Sequence, residues 1–167
     1  MHKDSDQREF DVIVWGATGF TGQLVVAYLA QTYGVEGPLR WAIAGRNRDK
    51  LDAVRKACLP EALREKLPVL QADSGDAASL DRLARQARVL CTTVGPYAKY
   101  GTPLVAACVE AGTHYCDLTG EVQWMARVIP QYQRAAEASG ARIVHTCGFD
   151  SVPFDMGNWY LQQQMFA

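Results

Sequence analysis

The chain has 167 residues, 49% of them apolar and 21% charged, with a formal net charge of −1. That length holds one domain with a real core and not comfortably two, and that composition excludes a disordered tail. No lysine- or arginine-rich block occurs anywhere, which argues against nucleic acid or an anionic membrane as the main partner.

Phe10–Trp15 reads as a short apolar strand, and Phe20–Tyr33 as a helix with Leu24, Val25, Tyr28 and Leu29 on its buried face. LRWAIAG (39–45) is a second strand. Asn47 then caps a helix in which Leu51, Val54 and Cys58 make one buried stripe. Residues 60–66 form a short helical insert before a third strand, PVLQAD (68–73). Asp76 to Ala87 is a helix with Leu80, Leu83 and Ala87 inward, and RVLCTTVG (88–95) is a fourth strand. Thr102 and Pro103 read as the cap and first turn of a helix through Ala111. After the fifth strand, THYCDL (113–118), a helix is expected to bend or break at Pro130 and resume to Ser139, with Gly140 as terminator. ARIVHT (141–146) is a sixth strand.

Six short strands alternate with helices, and most are too apolar to face water on one side. They predict an α/β fold: a doubly wound, mainly parallel Rossmann-type sheet with helices on both faces. Ligands of such sheets sit beyond the carboxyl ends of the strands.

The longest strongly apolar stretch, Leu24 to Ala30, falls far short of the roughly 20 residues of a spanning helix. The N-terminal MHKDSDQREFD carries no apolar signal-peptide core, so residues 1–9 read as a polar tail. Cys58, Cys91, Cys108, Cys116 and Cys147 have no C-x-x-C spacing. They read as reduced thiols of a cytoplasmic protein, with no metal site.

Chemistry concentrates in VIVWGATGFTG, Val12 to Gly22. A glycine-rich turn between the first strand and the first helix is the context of a dinucleotide fingerprint, with a pyrophosphate on the helix N-terminus. Gly16 would permit the tight turn, Gly19 the approach of phosphate oxygens, and Gly22 close packing of helix on sheet. The spacing is G-x-x-G-x-x-G, which offers Thr18 and Thr21 as extra phosphate donors. A ligand-free strand–turn–helix is the plainer reading, and the six-strand rhythm weighs against it.

An NAD site usually presents an acid near the end of the second strand for the ribose 2′-OH. Here AIAGRNR carries Arg46, with Arg48 as a second candidate, where a guanidinium suits a 2′-phosphate; the reading is NADP over NAD. Asp73, ending the third strand, stands where related folds contact adenine, and ADSGD is equally ordinary turn chemistry. In TTVGPYAKYG (92–101), small residues around Gly95–Pro96 leave room for the nicotinamide ribose. Tyr97, Lys99 and Tyr100 are candidates for proton donation to a substrate carbonyl, or an ordinary surface loop. Asp117 and Glu121 read as caps of the following helix. Asp150 and Asp155, flanking Pro153, lie in a segment apolar enough to be buried against a partner or a second domain.

GATGFTG, AGRN, VGPYAKYGTPLVAACVEAGTHYCDLTGE and CGFDSVPFD, in this order, resemble the saccharopine dehydrogenase-like oxidoreductases, especially the bacterial trans-acting enoyl reductase branch. The resemblance runs from about Phe10 to Asp155. It implies an NADP-binding Rossmann domain over 10–155 and hydride transfer to an unsaturated acyl (enoyl) or other small-molecule substrate. For the cofactor it carries over Gly16, Thr18, Gly19, Phe20, Thr21, Arg46 and the turn Val94, Gly95, Pro96, Tyr97; it transfers no catalytic acid. An amino-acid reductase of the saccharopine type and a non-catalytic NADP sensor or scaffold remain alternatives. Chains of the family continue further, so residues 156–167 read as the start of a helix leading to a missing C-terminal substrate domain. Met156, Trp159, Tyr160 and Phe166 would then need a cover, from that domain or from a second copy in a homodimer.

Overall fold

In the computed structural model, which describes residues 8–166, six strands form one sheet in the order β3-β2-β1-β4-β5-β6, every pairing parallel. The elements run β1 (Phe10–Trp15), α1 (Phe20–Thr32), β2 (Trp41–Gly45), α2 (Arg48–Cys58), α3 (Glu61–Arg64), β3 (Val69–Gln71) and α4 (Ala77–Gln86). They continue with β4 (Ala87–Thr92), α5 (Tyr97–Ala111), β5 (His114–Asp117), α6 (Val122–Ser139), β6 (Ile143–Val144) and α7 (Val152–Met165). This is the doubly wound order, in which the chain reverses direction across the sheet between β1 and β4.

Register divides the sheet into two faces. Ala42, Ile13, Leu90, Tyr115 and Ile143 share one row and pack under α4, α5 and α6 with Leu80, Leu83, Leu104 and Trp124. The other face holds Ile43 and Val14, covered by Val26 and Leu29 of α1 and Leu51 and Val54 of α2. Asn47 and Asp76 cap α2 and α4 through Lys50 N and Ala78 N, and Gly112 and Gly140 close α5 and α6 in the left-handed conformation.

Four local expectations change. The buried stripe of α1 is Gly22, Val26 and Leu29, so Leu24 and Tyr28 point outward at 57% and 59% exposure. Contact of Gly22 with the β1 turn sets that face, and apolar content alone cannot reveal it. Helix α5 starts at Tyr97, with Pro103 inside it, because the Glu121 carboxylate accepts from Tyr97 N (2.6 Å) and Ala98 N (2.8 Å). Thr102 is no cap: its hydroxyl accepts from Trp124 Nε1. Helix α6 runs unbroken through Pro130, which lies on the exposed side while Trp124 and Val128 anchor the buried one. Helix α7 begins at Val152, four residues before the expected start, and none of its residues is buried. Arg8, within the expected tail, is tied to Ala84 O, Ala111 O and Thr113 Oγ1; residues 1–7 lie outside the described residues.

Candidate functional site

A cleft of about 250 Å³ opens where the carboxyl ends of β1 and β4 part, lined by Gly16, Thr18 and Gly19 on one wall and Thr93, Val94, Gly95 and Tyr100 on the other. Trp15 and Gly45 form its floor, and Arg46, Asp73 and Ser74 its far end. Gly16 takes φ +89°, and a Cβ there would stand 2.6 Å from Val94 Cγ2 and 2.9 Å from Thr93 Oγ1. Glycine is therefore required twice over, by conformation and by space. A Cβ on Gly22 would collide with Gly16 O and reach 2.9 Å from Ala17 Cα, all backbone.

The electrostatics are asymmetric. Helices α2, α4 and α5 have side-chain carbonyl or carboxylate oxygens on their first-turn N–H groups, from Asn47, Asp76 and Glu121. Helix α1 has none: Gly19 is its N-cap and no acid occupies its first turn. Its open donors and positive dipole end suit an anion. The Arg46 guanidinium makes no hydrogen bond or ion pair among the described residues, whereas Arg48 is held by Asp52 (3.1 Å) and does not line the cleft. Asp73 Oδ1 accepts from Gly75 N (2.8 Å), as turn chemistry requires, and the residue also lines the cleft.

Of the three proton-donor candidates, only Tyr100 lines the cleft, with Lys99 Nζ 5.0 Å from its ring centroid. Tyr97 is placed differently. It lies 5% exposed, its hydroxyl donates to Thr92 O (3.2 Å) and receives Leu118 N (3.4 Å), and burial pushes its phenol well above the usual range. A phenol so placed has its hydroxyl engaged within the core. Phe20, at 83% exposure, Thr21, Gly22 and Pro96 do not line the cleft with their side chains.

Residues 12–144 match the family described as saccharopine dehydrogenase NADP binding domain. This chain belongs to that family. The NADP-binding domain is 44% identical over 160 residues to a trans-acting enoyl reductase of Mycobacterium leprae, covering 96% of this chain and 37% of that protein. It is 46% identical over 160 residues to the trans-acting enoyl reductase of Mycobacterium ulcerans, with the same coverages. The chain thus spans little more than a third of the length of these curated relatives. Among solved structures, apo saccharopine dehydrogenase (L-Glu forming) of Saccharomyces cerevisiae superposes with TM-score 0.68 at 17% identity, over 85% of this chain and 28% of that one. Citrobacter triphenylmethane reductase complexed with NADP(H) gives 0.59 at 18% identity, over 81% and 48%. Both share its fold.

The cofactor of the NADP-binding domain is accordingly NADP, and its cleft has what such a cofactor needs: uncapped amides, a glycine-only turn and an unpaired cation. Beside the cleft lies a network that the sequence did not reveal. Asp117 Oδ2 accepts from Tyr115 OH (2.7 Å) and His145 Nδ1 (2.7 Å), and Oδ1 from Thr119 N (3.1 Å) and Thr146 N (3.0 Å). Burial opposes ionisation of Asp117 most strongly, yet the bonds from His145, Tyr115 and Thr119 outweigh it and hold the carboxyl below its usual range. The pull on Thr146 N holds that β-branched residue at φ +60°, a conformation of high cost. Neither Asp117 nor Glu121 caps α6 with its side chain; they tie β5, α5 and the turn after β6 together. Asp150 and Asp155 are exposed. A larger cavity, about 490 Å³, lies between α5, α6 and β6; its apolar lining, including Val128, Ile129 and Tyr132, offers no helix N-terminus to a phosphate.

Proposed function

We propose that this domain holds NADPH across the β1–β4 junction and presents it for hydride transfer to an enoyl substrate of the acyl class. One observation carries the reading: the uncapped N-terminus of α1 and the unpaired Arg46 guanidinium open onto the same cleft. The N–H groups of Phe20, Thr21 and Gly22 take the diphosphate, Gly19 lets its oxygens approach, and the Thr18 hydroxyl adds a donor. Arg46 forks onto the 2′-phosphate and Asp73 meets the adenine end. Val94, Gly95 and Pro96 border the nicotinamide ribose.

Bound NADPH supplies the hydride; the chain's share is orientation and electrostatics. Tyr100 is the proposed proton donor, because it is the candidate phenol that lines the cleft, with Lys99 Nζ 5.0 Å from its ring centroid. The names of the mycobacterial relatives support the enoyl substrate. Their length supports a parent protein in which residues 10–155 are the cofactor domain and 156–167 lead into a substrate domain. Five free cysteines support a reducing, cytoplasmic setting, and no described helix is long and apolar enough to cross a membrane.

Titration with NADPH and NADH tests the reading. Arg46→Asp is expected to weaken NADPH binding roughly tenfold to 100-fold while sparing NADH. Equal loss of both overturns the 2′-phosphate assignment. Turnover is tested on the full-length polypeptide with enoyl thioesters; binding without any NADPH oxidation would make the protein a sensor.

A further inference from the structure

A doubly wound parallel sheet is normally buried on both faces, and in this domain one face is covered for only half its width. One register row crosses that face as Val69, Ile43, Val14, Cys91, Cys116 and Val144. Ile43 and Val14, beneath α1 and α2, are fully buried; Cys91 and Cys116 are only partly so, and Val144 is 51% exposed. The row beside it behaves alike: Trp41 is buried, whereas Val89 and His114 are half-buried. Exposure is greatest at Val144, the end of the row farthest from the two helices. The reason is topological. Right-handed connections from β1 to β2 to β3 put α1 and α2 over that side only, and those from β3 onward put α4, α5 and α6 on the opposite face. Nothing within residues 8–166 covers the β4–β5–β6 half.

We propose that this open half-face is the docking surface for the downstream part of the same polypeptide, entered through α7, which lays an apolar helical surface across Val89, Cys91, Cys116 and Val144. The proposal rests on the reading of a longer parent protein. Two observations name this occupant over a second copy. The chain passes from β6, the outermost strand of the open half, directly into α7. That helix carries a broad apolar surface, with Phe154, Met156, Trp159, Leu161 and Met165 each more than half exposed, beside a narrower polar strip of Asp155, Asn158 and Gln162; an apolar helical surface of that breadth calls for cover within a folded unit. The relatives supply the length, since this chain matches little more than a third of each. Uncharged side chains occupy the whole outer row, as an intramolecular interface requires and a solvated face does not.

The test compares alkylation of individual cysteines by iodoacetamide, read by peptide mass spectrometry, in the 167-residue chain and in the polypeptide extended to its natural stop codon. Cys58, on α2 at the covered half, is the internal reference. Cys91 and Cys116 are expected to react about tenfold or more slowly in the extended protein, with Cys58 unchanged. Val144→Glu should leave the melting temperature of the short chain within about 2 °C, since the site is exposed. In the extended protein it should return Cys91 and Cys116 toward short-chain rates, because a buried unpaired carboxylate opposes docking. Equal rates in both proteins would overturn the proposal. So would protection already present in the short chain that grows with concentration alongside a dimer mass in sedimentation, which would make a second copy the cover. NADPH titration of the same samples keeps the two readings apart: protected thiols without cofactor binding would count against the cofactor site alone.

Discussion

Gly22→Ala separates packing from ligand binding in the glycine turn. In a solvent-exposed helix the change would stabilise by up to about 1 kcal/mol, because alanine is the better helix former. At this site the added methyl would collide with Gly16 O and sit 2.9 Å from both Ala17 Cα and Gly16 C. Every one of these is main chain, so no flexible side chain can swing aside, and overpacking of this sort costs on the order of 1–3 kcal/mol. The clash wins by about 1–2 kcal/mol, which in a domain of this size lowers the melting temperature by roughly 2–8 °C. Relief can come only by moving Gly16 and Ala17, whose N–H groups donate to Ala44 O at 3.0 and 3.3 Å. The phosphate turn then shifts, and NADPH affinity falls with stability. Gly19→Val is the control: a Cβ there stands 3.4 Å from Gly16 O, an ordinary contact. It should melt within about 2 °C of the parent and lose NADPH binding by tenfold or more, roughly 1.4 kcal/mol. Thermal melts by circular dichroism and NADPH fluorescence titration read both quantities. A Gly22→Ala protein that melts at or above the parent temperature would refute the packing argument. A Gly19→Val protein that binds normally would place the phosphate elsewhere.

Asp11 is held down to about 2, first by its side-chain hydrogen bond from Arg40. A folded value below the unfolded one means stability that is present above about pH 4 and is lost as pH falls toward 2. Arg40 is half exposed, so the contribution is discounted to about 0.5–1 kcal/mol; Asp11→Asn should flatten that part of the acid-unfolding profile, measured by urea midpoints at stepped pH. Asp117→Asn is expected to cost about 2–4 kcal/mol, because one amide oxygen cannot replace a carboxylate that accepts four hydrogen bonds in the core. Its lowered carboxyl has the same sign as Asp11, so the parent's advantage over the variant should shrink as pH drops below about 4. Gly101→Ala places a methyl 2.6 Å from Trp124 Cζ2. It should lower stability by about 1–3 kcal/mol and change Trp124 fluorescence without altering NADPH affinity.

What was legible in the sequence is what depends on short range. Unbroken apolar runs such as VIVW and WAIA can only be strands buried on both sides. Asn47 and Gly140 are start and stop signals whose chemistry is local, and the structure uses each of them as such. The helix start at Tyr97 and the placing of its phenol were misread for want of tertiary partners. Thr102–Pro103 is a good local opening for a helix, yet Glu121, twenty-four residues beyond Tyr97, satisfies earlier amides and moves the start to Tyr97. Tyr97 looked available beside Lys99 because the sequence does not say that Thr92 O and Leu118 N wait for its hydroxyl in the core. The Asp117 network had one sign in advance, an acid alternating with tyrosine in the buried strand HYCD, since a carboxylate on an inward position must find donors. His145 and Thr146, at φ +60°, supply them from the turn after β6, so the three residues of this network are joined only by the fold. The cofactor side behaves differently. Gly16 and Gly22 sit within one short stretch of chain, and there the local pattern and the three-dimensional need coincide.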